Sequence, residues 1–338
     1  MRPPLAISTG DPAGVGPVVT AAALTQSIGE DRAVVFGDAV WMEEALRTLG
    51  FEAVRRVDPA DSKSLAAGEV GLVHVADWPV TMIQARAATI DGGAVQCAAL
   101  DAACDATLAG HTRALVTGPV SKEAVHLSGV SFRGQTEHLA RRSGVHVERV
   151  TMMFLGPRLK VALVATHWSI KRVPSTVTRE HIDRTVRHLA DALGRWLPGE
   201  RPLQIEVTGL NPHAGEGGLL GTEEETIIGP TLDDLRDDRA FTERGVDVLG
   251  PTPAEAAFRY AADGRAHGVV AMFHDQATIP SKLLDWGEAV NVTWGLPFVR
   301  TSVDHGVAYD AAASGIASES GMIAAIRAAQ RLTGGPSA

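Results

Sequence analysis

Short apolar runs without polar alternation recur along the chain, and stretches of helical period lie between them. The runs are Leu5–Ser8, Ala33–Phe36, Leu72–Ala76, Ala114–Thr117, Met152–Leu155, Lys160–Ala165, Gln204–Thr208 and Val269–Phe273. A strand with no polar face is a strand buried on both sides, the mark of a parallel sheet covered by helices. The intervening segments agree. From Arg179 to Trp196, the residues Ile182, Val186, Leu189, Leu193 and Trp196 form one apolar stripe. Val40 to Leu49 reads as a helix stopped by Gly50, and Thr252-Pro253-Ala254-Glu255 reads as a capping box opening another. A last helix is expected from Glu319 to Leu332. The alternation predicts an α/β protein with largely parallel sheets. With 338 residues the chain has room for two domains. No low-complexity linker separates them, so they are expected to share strands or interweave rather than sit as beads.

Charge and patterning exclude several functions. The net charge is -9 and no basic stripe is present, so nucleic acid is not an expected partner. No apolar run is long enough to span a bilayer. The opening MRPPLAISTGDPAG lacks a basic-then-apolar signal, and a cytoplasmic location is expected. Cys97 and Cys104 lie two turns apart on one helix, too far for a disulfide, and are read as small buried residues. The glycine clusters Gly10–Pro17 and Gly215–Gly221 both miss the G-x-G-x-x-G spacing, so a standard dinucleotide fingerprint is absent.

Three of the 12 histidines fall just beyond predicted strands: His167 after KVALVAT, His213 in TGLNPHAGE and His274 in VVAMFHDQ. In open α/β sheets ligands bind beyond the carboxyl ends of strands. Three imidazoles converging there would make a metal site with a position open to substrate. Asp275 and Glu216 are placed to orient ligand rings. A lone loop histidine is more often a hydrogen-bonded surface residue than a ligand; only the shared placement argues otherwise. His181 and His188 are read on the polar side of a helix, and His126, His146 and His267 in surface turns. Downstream of His274, Lys282, Asn291 and Arg300 suit phosphate or carboxylate recognition, Arg as a fork and Lys as a point charge. VTGPVSK and RGQTEHLA read as loops feeding helices, where an anion is readily held. Ser121 lacks a G-x-S-x-G setting, which argues against a serine hydrolase.

Taken in order, STGDPAGVGP, VTGPVSKEAV, GQTEHLA, ATHWSI, LNPHAGEGGLLGTEE, GPTPAEAAF, FHDQATIPSKLL and GLPFVRTSVDHGVAYDAAASGIA resemble the 4-hydroxythreonine-4-phosphate dehydrogenase family over essentially the whole chain. The resemblance implies a two-domain α/β/α fold like the isocitrate and isopropylmalate dehydrogenases. It implies a homodimer whose active sites lie in the cleft and at the subunit interface. Residues 1–135 with 295–338 would form the terminal domain and 136–294 the central, metal-binding one. It implies His167, His213 and His274 as ligands of one divalent cation (zinc, magnesium, manganese or cobalt). Gln135, Thr136, Lys282, Asn291 and Arg300 would bind substrate, with Lys282 also available for catalysis. The HGVAYDAAASGIA segment is similar to a loop that holds the adenosine of NAD, and His305, Gly306 and Asp310 would contact NAD or NADP. The implied reaction oxidises 4-phosphohydroxy-L-threonine at its C3 hydroxyl, and decarboxylation to 3-amino-2-oxopropyl phosphate follows. Two positions depart from the family pattern: Gln135 replaces the usual histidine of GHTE, and Val18 the acid of GPE. Gln135 keeps other substrates open, namely 4-phospho-D-threonate, 4-phospho-D-erythronate or a cis-dihydrodiol. An NAD-independent metal hydrolase or lyase is the alternative from a different class.

Overall fold

The computed structural model describes residues 2–334. The chain divides into two compact units, Met1–Val147 with Leu296–Ala338, and Glu148–Gly295. Residue 136, expected in the central unit, lies in the terminal one. Its helix, Gln135–Arg142, packs on the helix Ile90–Leu108.

In the terminal unit the strands are β1 (Leu5–Ser8), β2 (Ala33–Gly37), β3 (Val54–Arg56), β4 (Val70–His74), β5 (Ala114–Thr117) and β12 (Val299–Ser302). Their order is β3-β4-β2-β1-β5-β12, and all pair in parallel. β1, β2 and β5 are buried along their full length, as expected of strands without a polar face; β12, which sequence reading did not recognise as a strand, is equally buried although three of its four residues are polar. The chain builds outward from β1 on one side as far as β3 and β4, then returns to place β5 and β12 on the other. The strand order therefore reverses between β1 and β5, the place where open α/β sheets form a ligand crevice.

In the central unit the strands are β6 (Thr151–Leu155), β7 (Lys160–Leu163), β8 (Leu203–Thr208), β9 (Val246–Thr252), β10 (Gly268–Ala271) and β11 (Val290–Trp294). Their order is β11-β6-β7-β10-β8-β9. β7, β10, β8 and β9 pair in parallel, while β6 runs antiparallel to both β7 and β11. The helix Arg179–Trp196 buries the expected stripe, and Thr178 caps it by accepting from the His181 amide. A core of Phe154, Leu159, Val161, Leu163, Ala257, Val269 and Ala271 ties β7 and β10 to the helix Ala254–Ala262.

The expected capping box at Thr252 does not form. Proline at the cap position offers no side-chain acceptor, and the Thr252 hydroxyl instead donates to buried Glu206 at 2.6 Å. His188 was expected on a polar face, yet its ring bonds Thr151 Oγ1 on β6 at 2.8 Å. Burial there pushes its pKa down to about 4. Cys97 and Cys104 are free and buried, as read from sequence. Among the described residues no helix is long and apolar enough to cross a membrane.

Candidate functional site

His167, His274 and His213 follow β7, β10 and β8, and these three strands are consecutive in the sheet of the central unit. Adjacent parallel strands lie about 4.8 Å apart, so their carboxyl ends deliver side chains to one strip of the sheet edge. The His167 and His274 rings accordingly meet with centroids 5.5 Å apart and planes 45° apart. His274 opens the helix His274–Leu284, and its Nδ1 pairs with Asp275 Oδ1 at 2.7 Å. With Nδ1 donating to Asp275, Nε2 carries the free lone pair, the usual division of labour in a carboxylate–histidine–metal unit. His213 is exposed, one strand further along. The donor atoms of the three histidines are not all drawn within 4.8 Å of one another.

The His213 segment is strained. His213 (φ 54°), Ala214 (φ 52°) and Glu216 (φ 47°) all adopt left-handed backbone, which costs non-glycine residues about 1–2 kcal/mol each. Glu224, almost fully buried, holds the segment in place. Its Oε1 accepts from the Leu210 and Asn211 amides at 2.7 and 2.8 Å, and its Oε2 accepts from Asn211 Nδ2 at 2.9 Å. Glu224 starts a π-helical turn, Glu224–Ile228, a local irregularity often found at functional sites. The third residue of HDQ matters equally. Gln276 Oε1 accepts from Thr208 Oγ1 and the Met272 amide, while its Nε2 donates to Gly209 O. It thereby locks the ends of β8 and β10 in register. Sequence reading passed over both Glu224 and Gln276, although each lies inside a motif it quoted.

Two further residues of this unit were expected to bind substrate. Lys282 is exposed on the His274 helix, about 12 Å further along the axis at 1.5 Å per residue. Asn291 sits on β11, and its buried Oδ1 has no partner; the buried hydroxyl of Ser281, on the His274 helix, has none either. A buried acceptor left without a donor is costly in a folded protein and common where a ligand supplies one.

In the terminal unit, Arg300 on β12 is 3% exposed. It donates to Thr117 Oγ1 at 2.8 and 3.1 Å and to Gln135 Oε1 at 3.0 Å. Burial draws its pKa down to about 10, with Glu137 pulling it back up. Gln135 in turn donates to Gly118 O at 3.0 Å, and Thr136 follows it in the first turn of their helix. A protonated histidine at 135 would offer Arg300 no acceptor and add like charge. Glutamine resolves both conflicts and leaves one positive charge rather than two.

The glycine segment at Gly10 is scaffolding rather than a phosphate loop. A Cβ on Gly10 would meet Pro119 O, and one on Gly14 would meet Val307 O. The Val15 amide donates to Val307 O at 3.0 Å, and Tyr309 Oη donates to Asp11 Oδ2 at 2.7 Å. Burial raises the Asp11 pKa against that bond. The loop bearing His305, Gly306 and Asp310 is thus seated on the Gly10–Val15 turn. A Cβ at Gly306 would meet nothing, so that face stands open.

Residues 30–329 match the family described as pyridoxal phosphate biosynthetic protein PdxA. A 4-hydroxythreonine-4-phosphate dehydrogenase of Geobacter metallireducens is 39% identical, over 96% of this chain and 94% of its own. A protein of Salmonella typhi named as a D-threonate 4-phosphate dehydrogenase is 35% identical, over 97% of this chain and 98% of its own. Among solved structures, a 4-hydroxythreonine-4-phosphate dehydrogenase from Klebsiella pneumoniae superposes with a TM-score of 0.79 at 32% identity, covering 98% of this chain and all of that one.

Proposed function

The chain belongs to the PdxA family of pyridoxal phosphate biosynthetic proteins, and on that premise we propose that it is a metal-dependent, NAD-linked dehydrogenase of 4-phosphohydroxy-L-threonine. The observation that carries the metal reading is the hanging of His167, His274 and His213 from three consecutive parallel strands. The donors suit a divalent cation: all three are imidazoles, and Asp275, paired with His274 Nδ1, leaves the Nε2 lone pair for an ion. When bound, such an ion would supply Lewis acidity at the substrate hydroxyl. When bound, NAD would accept the hydride.

The chain's own residues do the remainder. Arg300, shaped by Thr117 and Gln135, presents a guanidinium fork to an anionic group of the substrate. Asn291 Oδ1 takes a hydrogen bond from a substrate donor. Lys282 steadies the phosphate or moves a proton at the substrate oxygen. His305, Gly306 and Asp310 hold the cofactor's adenosine end, with Asp11 and Tyr309 bracing the loop. Oxidation at C3 yields a β-keto acid. Its carboxylate leaves as CO2 while the ketone takes up the electron pair, and the enolate so formed takes a proton at the former α-carbon, giving 3-amino-2-oxopropyl phosphate.

We place the enzyme in the cytoplasm, in keeping with its two free buried thiols. We also infer a homodimer. Ile279 and Leu283, one helical turn apart on the same face of the His274 helix, are strongly exposed, as is Trp286 just after it.

The alternative favoured by a specific observation keeps the chemistry and changes the substrate. Gln135 removes a positive charge beside Arg300, and the Salmonella typhi relative is named for D-threonate 4-phosphate. Reduction of NAD by chelator-stripped protein, with each phosphorylated acid and with each added metal, tests both. Metal-dependent turnover of 4-phosphohydroxy-L-threonine supports the primary reading. Turnover of 4-phospho-D-threonate alone moves the assignment to sugar-acid oxidation, and turnover of neither overturns both.

A further inference from the structure

One group of three ligand-type side chains among the described residues has its donor atoms within 4.8 Å of one another: Cys97, Asp101 and His138. Cys97 and Asp101 are four residues apart on the helix Ile90–Leu108, hence on one face. His138 reaches them from the helix Gln135–Arg142. Cys97 and His138 are each 6% exposed. None of the three enters the proposed reaction, and all belong to the terminal unit, whereas the strand-end histidines belong to the central one.

We propose that Cys97, Asp101 and His138 form a second metal site, for a zinc-class ion, that clips these two helices together. The donor set selects the class: a thiolate with an imidazole and a carboxylate suits zinc or cobalt rather than magnesium or calcium. Tetrahedral zinc with bonds of about 2.0–2.3 Å needs donors about 3.3–3.8 Å apart; His138 Nε2 and Asp101 Oδ1, now 2.6 Å apart, open to admit the ion, and all three donors already lie within 4.8 Å of one another. Charge balances on binding. Cys97 releases its thiol proton. His138, held as an imidazolium by Asp101 at 2.6 Å, releases its Nε2 proton to solvent and keeps the one on Nδ1. The result is a thiolate, a carboxylate and a neutral imidazole around a doubly charged ion.

The arginines beside the trio allow this. Arg141, which points a donor at His138 Nδ1 from 3.1 Å, is an exposed side chain that swings clear. Arg142 gives up Asp101 Oδ2 but keeps two bonds to Asp105, at 2.7 and 2.6 Å. Of the three ligands, His138 also borders a cavity of about 340 Å³ with Ser131 and His146, and a water would complete the tetrahedron. The same helix begins with Gln135, the partner of Arg300. Metal loading therefore also sets the geometry of the substrate arginine, a consequence that rests on the substrate reading above.

The test does not depend on activity. The chelator-stripped full-length protein is titrated with cobalt(II), and thiolate-to-cobalt charge transfer is followed in the near ultraviolet. An all-histidine site produces no such band. The expected result is a band in the wild type and in His213→Ala, lost in Cys97→Ser and in His138→Gln, and retained in Cys104→Ser. Circular dichroism confirms that each variant is folded, and Asp101→Asn, which keeps shape and volume, is expected to weaken cobalt binding at least tenfold. A wild type without the band overturns the proposal, as does a band that survives Cys97→Ser or disappears in His213→Ala.

Discussion

Replacing Glu224 with alanine separates the energy of the fold from the energy of the metal site. The carboxylate makes three hydrogen bonds to the His213 segment, at 2.7, 2.8 and 2.9 Å. Against them stand three non-glycine residues in left-handed backbone, together about 3–6 kcal/mol of strain. Without Glu224 the segment relaxes, and relief of strain offsets most of the lost bonding. Net destabilisation is then about 1–3 kcal/mol, a fall in Tm of about 2–12 °C. Metal binding suffers far more, because an ion engaging His213 must restore the strained geometry. The same 3–6 kcal/mol is then subtracted from binding, about two to four powers of ten in affinity at about 1.4 kcal/mol per decade. The assay is the metal concentration giving half-maximal turnover after chelator stripping, alongside thermal melting by circular dichroism. A half-maximal concentration within about threefold of wild type, which is under 1 kcal/mol, would refute the argument that stored backbone strain presents His213 to the ion.

Asp275→Ala removes the acceptor that orients the His274 ring, and half-maximal metal concentration is expected to rise about 10–100-fold; an unchanged value would show that the ring is oriented without it. Gln135→Leu deprives buried Arg300 of an acceptor, with kcat/KM expected to fall roughly ten- to a hundredfold for about 1–3 kcal/mol, and a change below about threefold would mean that Thr117 alone positions the guanidinium. His188 titrates near 4 when folded and near 6.5 when unfolded, so the unfolded chain binds the extra proton. Its contribution is complete above pH 6.5 and is lost as pH falls toward 4, about 1–2 kcal/mol once solvent screening is allowed for. Chemical denaturation of His188→Gln from pH 7 to pH 4 should show a correspondingly flatter loss of stability; an identical slope would place the acid sensitivity elsewhere.

How much was legible follows from where each signal is stored. Leu5–Ser8 and Ala114–Thr117 were readable to the residue, because a strand buried on both faces has no polar position to confuse its bounds. Val54–Arg56, Val246–Thr252, Val290–Trp294 and Val299–Ser302 were not recognised as strands, since each carries polar residues whose burial is decided by partners distant in sequence. His138 went unremarked because nothing local distinguishes a histidine beside Asp101 from one beside water. Its pKa rises to about 9 chiefly through the bond to Asp101, against the pull of burial.

The sequence by itself determined the fold class, the placement of three histidines at strand ends and the family, because apolar periodicity and ordered motifs are local and survive without coordinates. It also held Gln135 in plain view, but not the meaning of that residue. Only the tertiary structure decided that β10 inserts between β7 and β8, so that the strands preceding His167, His274 and His213 are consecutive in the sheet. Only the tertiary structure sets Gln135 against Arg300, 165 residues away in the chain. Strand order and side-chain pairing depend on contacts between distant segments, and their energies belong to pairs of residues rather than to any one position in the sequence.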